Sequence, residues 1–270
     1  MTETLIEPRQ TSTAVPTLEA RGISKSFGSV QALTDVDFEV AAGEVMALVG
    51  DNGAGKSTLI KCIAGIHPID EGEIFFEGRK VSISGPRDAA ALGIEVVYQD
   101  LALCDNLDVV QNMYLGREER DWIGRLREAP MEARTAETLK SLRVTTIRTI
   151  RQQVASLSGG QRQSVAIGRA VMWNSRVVIL DEPTAALGVA QTEQVLQLVR
   201  RLAEQSLAVV LISHNLHDIF EVADRITVLR LGRNVSVFKR AETTQQALVH
   251  AITAGVPTKV PGVADTEDPA

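Results

Sequence analysis

The sequence predicts an α/β fold built on a parallel sheet, and three observations carry that expectation. Short continuous apolar runs, V-M-A-L-V at 45–49, V-V-I-L at 177–180 and A-V-V-L-I at 208–212, have the length and composition of strands buried on both faces. Helix-length segments separate them, and alternation of strand with helix is how parallel strands are joined. A glycine-rich turn, G-D-N-G-A-G-K-S-T at 50–58, links the first apolar run to a helical segment.

Taken in order, residues 1–16 are rich in Thr, Pro and Glu and read as a disordered tail, as does 254–270. Between them a single domain is expected over 17–253. L-E-A-R-G-I-S-K-S-F and V-D-F-E-V alternate as half-buried strands do, and Ala42-Gly43 turns the chain into the strand 45–49. A helix follows from Gly55 to Ala64. E-G-E-I-F-F-E-G-R-K-V is a hairpin around Gly78, so this region forms an antiparallel β subdomain. I-E-V-V-Y at 94–98 is another buried strand. The pattern then becomes helical, with segments at 108–115, 131–142 and 159–172, which makes 99–173 an inserted α-helical subdomain between core segments 17–98 and 174–240. Strands return at 177–180, 208–212 and 225–229.

A chain of 270 residues, 44% hydrophobic and 23% charged, can build a core without disulfides or metal staples. Its net charge of −6 argues against general nucleic-acid binding, which wants a basic face. Cys62 and Cys104 lack C-x-x-C spacing and read as apolar thiols in a reducing compartment. The first residues carry no apolar signal segment, and the longest clean apolar run, Leu207 to Ile212, is far short of the ~18 residues a membrane span needs. A role at a membrane therefore requires another chain to do the crossing.

The segment 50–58 has the spacing Gly50-x-x-x-x-Gly55-Lys56-Ser57 of a phosphate-binding loop, with a strand before it and a helix after it. Glycines let the backbone wrap close to phosphate oxygens, and its N–H groups with the helix N-terminus supply positive potential. The candidate cradle comprises Gly50, Asp51, Asn52, Gly53, Ala54, Gly55, Lys56, Ser57 and Thr58. Lys56 reaches the β and γ phosphates as a point charge, and the Ser57 hydroxyl ligates Mg²⁺. The alternative is a glycine-rich turn that merely caps a helix.

Asp181 and Glu182 stand at the C-terminal end of the strand 177–180, the edge where open α/β sheets bind ligands. Asp181 suits the Mg²⁺ shell through water. Glu182 faces another way and suits orienting and deprotonating an attacking water. The alternative is a helix N-cap before Pro183. Gln99 follows one strand and His214 another, so both emerge on the same edge; Gln99 can touch Mg²⁺ or the water, and His214 can hold a γ-phosphate. Taken alone, each reads as readily as a loop or capping residue. His67, His217 and His250 read as surface residues.

A second anion-binding design lies in V-A-S-L-S-G-G-Q-R-Q, where Ser158, Gly159, Gly160 and Gln161 open a helix. Two phosphate cradles in one small chain pose a puzzle. The order of the loop at 50–58, Gln99, L-S-G-G-Q at 157–161, V-V-I-L-D-E at 177–182 and His214 resembles that of ATP-binding cassette (ABC) ATPases, over about residues 17–240. The resemblance implies a RecA-like P-loop NTPase fold and hydrolysis of ATP with Mg²⁺. It also implies two cassettes packed head to tail, each signature closing over the other's ATP, so that Ser158 and Gly160 contact the partner's γ-phosphate and the two cradles are halves of one shared site. Phe27 falls where the family stacks an aromatic on adenine; a core Phe is the alternative. Gly188 stands where the family's D-loop has Asp, which puts coupling between the two sites by that route in doubt.

The phrases G-D-N-G-A-G-K-S-T-L-I-K, V-Y-Q-D-L-A-L-C-D-N-L-D-V-V-Q-N-M-Y-L-G-R-E and E-P-T-A-A-L-G-V-A-Q-T resemble the ribose, xylose and fructose importers. That resemblance implies a homodimer or a pairing with a second cassette, an integral membrane permease docked on the helical block near Gln99, and an external sugar-binding protein. It places the chain at the cytoplasmic face of the membrane, with no nucleic-acid partner. An exporter ATPase is one alternative; a soluble cassette protein acting on nucleic acid or ribosomes is another.

Overall fold

The computed structural model describes residues 15–255. The tails expected at 1–16 and 254–270 lie outside them, apart from residues 15, 16, 254 and 255. In chain order the elements are β1 (Leu18–Phe27), β2 (Val30–Val40), β3 (Val45–Val49), α1 (Lys56–Ile63), β4 (Glu71–Phe76), β5 (Arg79–Val81), α2 (Pro86–Ala91), β6 (Ile94–Val97), α3 (Val109–Tyr114), α4 (Glu128–Ser141) and α5 (Gly159–Val171). They continue with β7 (Val177–Asp181), α6 (Val189–Glu204), β8 (Ala208–Ile212), α7 (Leu216–Val222), β9 (Arg225–Arg230), β10 (Arg233–Lys239) and α8 (Gln245–Ala254).

The strands form two sheets. A four-stranded antiparallel sheet has the order β2-β1-β4-β5, and a six-stranded sheet has the order β10-β9-β3-β8-β7-β6. In the larger sheet β9, β3, β8, β7 and β6 run parallel, and only the edge strand β10 is antiparallel. β3 and β8 are buried along their whole length, as their continuous apolar runs predict.

Successive side chains on a strand point to opposite faces, and the core divides accordingly. Met46, Leu48, Ile179, Val210 and Ile212 pack with α1 and with Leu18, Ile23, Leu33, Val36 and Phe38 of the antiparallel sheet. Val45, Val178, Leu180, Val209 and Leu211 pack against α5 and α6 on the other face. Each fully buried Leu, Ile or Val contributes roughly 1.5–3 kcal/mol from surface withdrawn from water, and this double-sided burial fixes the strand register.

Among the described residues, 99–173 hold α3, α4 and α5 and only isolated β-bridges, Asp108 with Gln153 and Arg120 with Leu126. α5 is shared. Its Ala166, Ile167 and Ala170 lie on the central sheet, while Val165 joins Val109, Val110, Met113, Met131 and Leu139 in the core of the helical block. A glycine, Gly168, lets α5 come close to that block: a Cβ there would lie 3.3 Å from Leu139 Cδ2.

Three elements escape the sequence reading. α2 is six residues long with Pro at its start, too short to show a helical period. β10 is an edge strand with no fully buried residue among the four that lie half in solvent, so its alternation is weak. α8 is capped by Thr244, whose hydroxyl accepts from the Ala247 N–H, and it buries Ala247, Leu248 and Ala251 under β9 and α7.

Backbone approach is also close at Gly72, the second residue of β4, at φ +100°. A Cβ there would stand 2.6 Å from the carbonyl oxygens of Arg21 and Gly22, beside the irregularity between Arg21 and Ser24 in the β1–β4 pairing. Gly72→Ala is expected to lower unfolding free energy by about 2 kcal/mol or more in urea titration. An unchanged midpoint would mean that the two strands are not held this closely.

Candidate functional site

The loop after β3 is shaped by glycines at positions that a side chain would block. Gly50 has φ +151°, and a Cβ there would run into the Leu229 carbonyl of the neighbouring strand β9. Gly55 has φ +102°, and its Cβ would stand 2.7 Å from Leu33 Cδ2. Gly53, at φ +80°, meets nothing within 4 Å and borders open space. Gly55 is also the N-cap of α1 and offers no side-chain cap, so the N–H groups of the first turn, from Lys56, Ser57 and Thr58, have neither a capping side chain nor an intrahelical acceptor. Asp51, Asn52, Gly53 and Ser57 are exposed, whereas Ala54 is buried beneath the loop.

Lys56 curls back over this loop. Its ammonium donates to the Gly50 carbonyl at 2.6 Å and to the Asp51 carbonyl at 3.0 Å. Burial pushes its pKa down, and the carboxylates of Glu182, Asp181 and Asp51 oppose that push. The result is a cation directed at the concave side of the cradle, with acid groups across from it.

Those acids arrive because β3, β8, β7 and β6 are consecutive and parallel in the sheet. Their C-terminal ends therefore release the glycine loop, Ser213-His214, Asp181-Glu182 and Tyr98-Gln99 along one edge. Asp181 pairs in register with Ile212 and is half-buried. Burial raises its carboxyl pKa and the Glu182 charge raises it further, while Lys56 and Lys61 pull it down. Gln99 is exposed, one residue beyond Tyr98. The Tyr98 phenol is raised by burial and by the Asp181 charge. The Ser57 hydroxyl, the Gln99 amide oxygen and the Asp181 carboxylate are all hard oxygen donors, which suits Mg²⁺. A half-buried carboxylate held above its ordinary pKa also gains from a cation beside it.

Glu182 adopts φ +52°, a left-handed conformation uncommon for a residue with a side chain. Its N–H donates to the Ile212 carbonyl at 2.9 Å, which bends the chain across the end of β8. Its Oε2 then lies 2.8 Å from His214 Nδ1, with the His214 side chain 78% exposed and that of Glu182 17%. The pair combines a shielded carboxylate with an imidazole open to an incoming group. Proton acceptance at Glu182 and hydrogen bonding from His214 are the chemistry this pair can perform.

The sequence reading missed a third contact between these loops. The Thr184 hydroxyl donates to Asp218 Oδ2 at 2.6 Å, and the Asn215 amide donates to Asp218 Oδ1 at 2.9 Å. The signal was visible: Asn215 followed three residues later by an acid is an N-terminal capping pattern, and Asn215 does cap α7. That pattern does not reveal that the acid reaches back to the turn after β7.

The second cradle is a complete capping box at the start of α5. Ser158 Oγ accepts from the Gln161 N–H, and Gln161 Oε1 accepts from the Ser158 N–H. Gln161 also donates to the Thr146 carbonyl at 2.6 Å. A Cβ on Gly159 would stand 2.8 Å from Leu187 Cδ2, and one on Gly160 would stand 3.2 Å from Gln191 Cβ. The glycines thus let the turn after β7 and the start of α6 close on the signature. Among the described residues no hydrogen bond or ion pair joins 158–161 to 50–58.

Phe27 is 44% exposed, so the core alternative for it falls away. Its ring meets His67 edge-on at 5.0 Å, with Lys25 Nζ 5.5 Å from its centroid. Gly188 caps α6 at φ −74°, an ordinary conformation, and a Cβ there meets nothing within 4 Å. The glycine answers no backbone need; it simply leaves the position without a carboxylate. Cys62 is buried, with its thiol pushed up to about 11, and both cysteines are free.

Comparisons with known proteins agree in one direction. The family model described as ABC transporter matches residues 33–185. The fructose import ATP-binding protein of Rhizobium meliloti is 47% identical over 244 residues, 88% of this chain and 94% of that protein. The xylose/arabinose import ATP-binding protein of Sulfolobus acidocaldarius is 46% identical over 237 residues, with the same coverage, 88% and 94%. A ribose import ATP-binding protein of Yersinia pestis is 41% identical over 87% of this chain, and this chain spans 46% of its length, about half. Among solved structures, an ATP-binding cassette of an ABC transporter in its ADP conformation superposes with TM-score 0.75 at 26% identity, covering 88% of this chain and 94% of that one. A dimeric post-hydrolysis cassette bound to ADP and Pi superposes with TM-score 0.69 at 26% identity, covering 83% and 98%.

Because Asp181 is held above its ordinary pKa, its charge is unfavourable in the nucleotide-free fold. A raised carboxyl costs stability progressively as pH rises from the unfolded pKa through the folded one, and the cost is absent below the unfolded value. Asp181→Asn is expected to raise the melting temperature of the nucleotide-free protein, by up to about 2–4 °C, the shift that 1 kcal/mol gives a domain of this size. The gain should vanish below pH 4. A lowered melting temperature at pH 7 would show that Lys56 and Lys61 outweigh burial at this site.

Proposed function

Since the chain belongs to the ABC transporter family, we propose that it is the ATP-hydrolysing subunit that energises import of a small solute, a monosaccharide, through a separate membrane permease. One observation carries the ATPase reading: Lys56, Asp181, Glu182 and His214 converge on one edge of the parallel sheet, opposite a cradle that glycines keep open. The sugar-import reading is supported by three relatives, each named for import of a fructose, xylose/arabinose or ribose substrate.

In this reading the N–H groups of the first turn of α1 and of 51–53 receive the β and γ phosphates, while the Ala54 N–H closes the loop on the Asp51 carbonyl. Lys56 leaves its two backbone carbonyls to contact them, exchanging neutral acceptors for charged ones. Ser57, Gln99 and Asp181 would hold Mg²⁺, which would neutralise phosphate charge when bound. Glu182 accepts the proton of the attacking water, and His214 donates to the γ-phosphate. Phe27, exposed and edge-on to His67, offers its ring to adenine.

The signature lies on a different helix from the P-loop, and among the described residues no hydrogen bond or ion pair joins the two, which supports a site shared between two copies. Ser158, Gly159, Gly160 and Gln161 of one cassette then face the phosphates bound by the other, and a homodimer provides two such sites. The dimeric cassette bound to ADP and Pi is a structural precedent. No helix among the described residues is long and apolar enough to cross a membrane. The permease supplies the crossing, an external sugar-binding protein supplies the substrate, and this subunit sits peripherally at the cytoplasmic face.

Glu182→Gln keeps the shape and removes the base. Turnover is expected to fall about 10²–10⁴-fold while ATP binding persists. The variant should accumulate as an ATP-dependent dimer, read by light scattering with and without ATP. Turnover within twofold of the parent would remove Glu182 from the proton-accepting role.

A further inference from the structure

We propose that Asp218 is a positioning residue: its buried carboxylate ties the turn after Glu182 to the loop that carries His214, and so keeps those two side chains in register. The proposal rests on the ATPase reading above and adds to it a residue outside the nucleotide cradle.

Asp218 stands in the first turn of α7, where a carboxylate is favoured by the helix dipole. That alone explains an exposed acid. Asp218 is instead 2% exposed, and a buried charge is tolerated only when its oxygens are matched. Both are matched, and the two partners lie on different loops. Oδ1 accepts from the Asn215 amide, one residue beyond His214. Oδ2 accepts from the Thr184 hydroxyl at 2.6 Å, two residues beyond Glu182. Thr184 is itself buried.

The surroundings reinforce this reading. Among the described residues, side chains bridge the turn 182–188 and the loop 213–218 at two points, Glu182 with His214 and Thr184 with Asp218. The first bridge is nearly open to solvent on the histidine side, so it is a weak constraint by itself. The second is buried and therefore the stiffer of the two. Asn215 is tied down as well: its Oδ1 accepts from the His217 N–H and its own N–H donates to Ser213 Oγ at 3.0 Å. His214 is thus flanked by the buried Ser213 on one side and, on the other, by Asn215, which is tied to both Ser213 and Asp218.

Thr184→Val removes the hydroxyl with little change of shape, and Thr184→Ser restores it. Steady-state ATP turnover and the ring signals of His214 in NMR spectra, assigned by their loss in His214→Ala, are compared in the full chain. Thr184→Val is expected to lower kcat about tenfold with KM for ATP within twofold, and to move the His214 signals. Thr184→Ser should match the parent in both. Asp218→Asn, which can still accept from Asn215 and donate to the Thr184 oxygen, should fall between them. Parent-like kcat and unmoved His214 signals in Thr184→Val would overturn the proposal. So would equal losses in Thr184→Val and Thr184→Ser, which would mark a packing effect. If the parent itself turns over no ATP, the ATPase reading fails, and the His214 signals alone still decide whether the latch positions the histidine.

Discussion

Two carboxylates, Asp181 and Glu182, end a strand whose four preceding residues are fully buried, and the site is organised by the need to match their charge. Adjacent acids at the rim of an apolar sheet repel each other and lose hydration, which is why burial and Glu182 both raise Asp181. The chain answers in two ways. Lys56 lies across from them, its own pKa lowered by burial and supported by the same acids. Glu182 turns away through a left-handed backbone and meets His214. What remains unmatched is the Asp181 charge, and a divalent cation with its phosphates is the natural complement. Under the proposed function, Mg-ATP would relieve this electrostatic cost at Asp181.

That arrangement depends on register. β3, β8, β7 and β6 must be parallel and adjacent for four loops to emerge at one edge, and double-sided apolar burial holds them there. A slip by one residue would exchange Ile179 with Leu180 between the two faces of the core and turn the acids away from Lys56. α5 extends the same packing into the helical block. One face of it rests on the sheet that carries the catalytic edge, and the other on α3 and α4. A push on the helical block would thus reach the sheet through a helix whose first residues are the signature itself, which under the proposed function is a route from a permease to the nucleotide.

Much of this was legible in the sequence because the signals are local. A buried parallel strand is a short apolar run, the phosphate loop is a spacing, and the capping box at Ser158 and Gln161 is a four-residue pattern. The expected strands at 45–49, 94–98, 177–180, 208–212 and 225–229 lie within one residue of the observed ones. What escaped is what depends on partners far along the chain or on weak exposure patterns. β10 gains its place from pairing with β9 and from Asn234, which bonds the Asp37 backbone 197 residues away, and α8 from a patch under β9 and α7. Phe27 takes its edge-on neighbour from His67, 40 residues away. Thr184 and Asp218 are 34 residues apart, and nothing in either segment announces the other.

Gly188 shows the limit of reading a residue by its type. A glycine in a turn suggests a need for left-handed backbone, yet its φ of −74° is available to any residue and its surroundings are empty. The glycines that the fold does require lie elsewhere: Gly50 and Gly55 under the phosphate loop, Gly72 between strands, and Gly159 and Gly160 against Leu187 and Gln191. In this chain the residues after β7 therefore touch their own signature through an apolar side chain and an amide rather than through a carboxylate at 188.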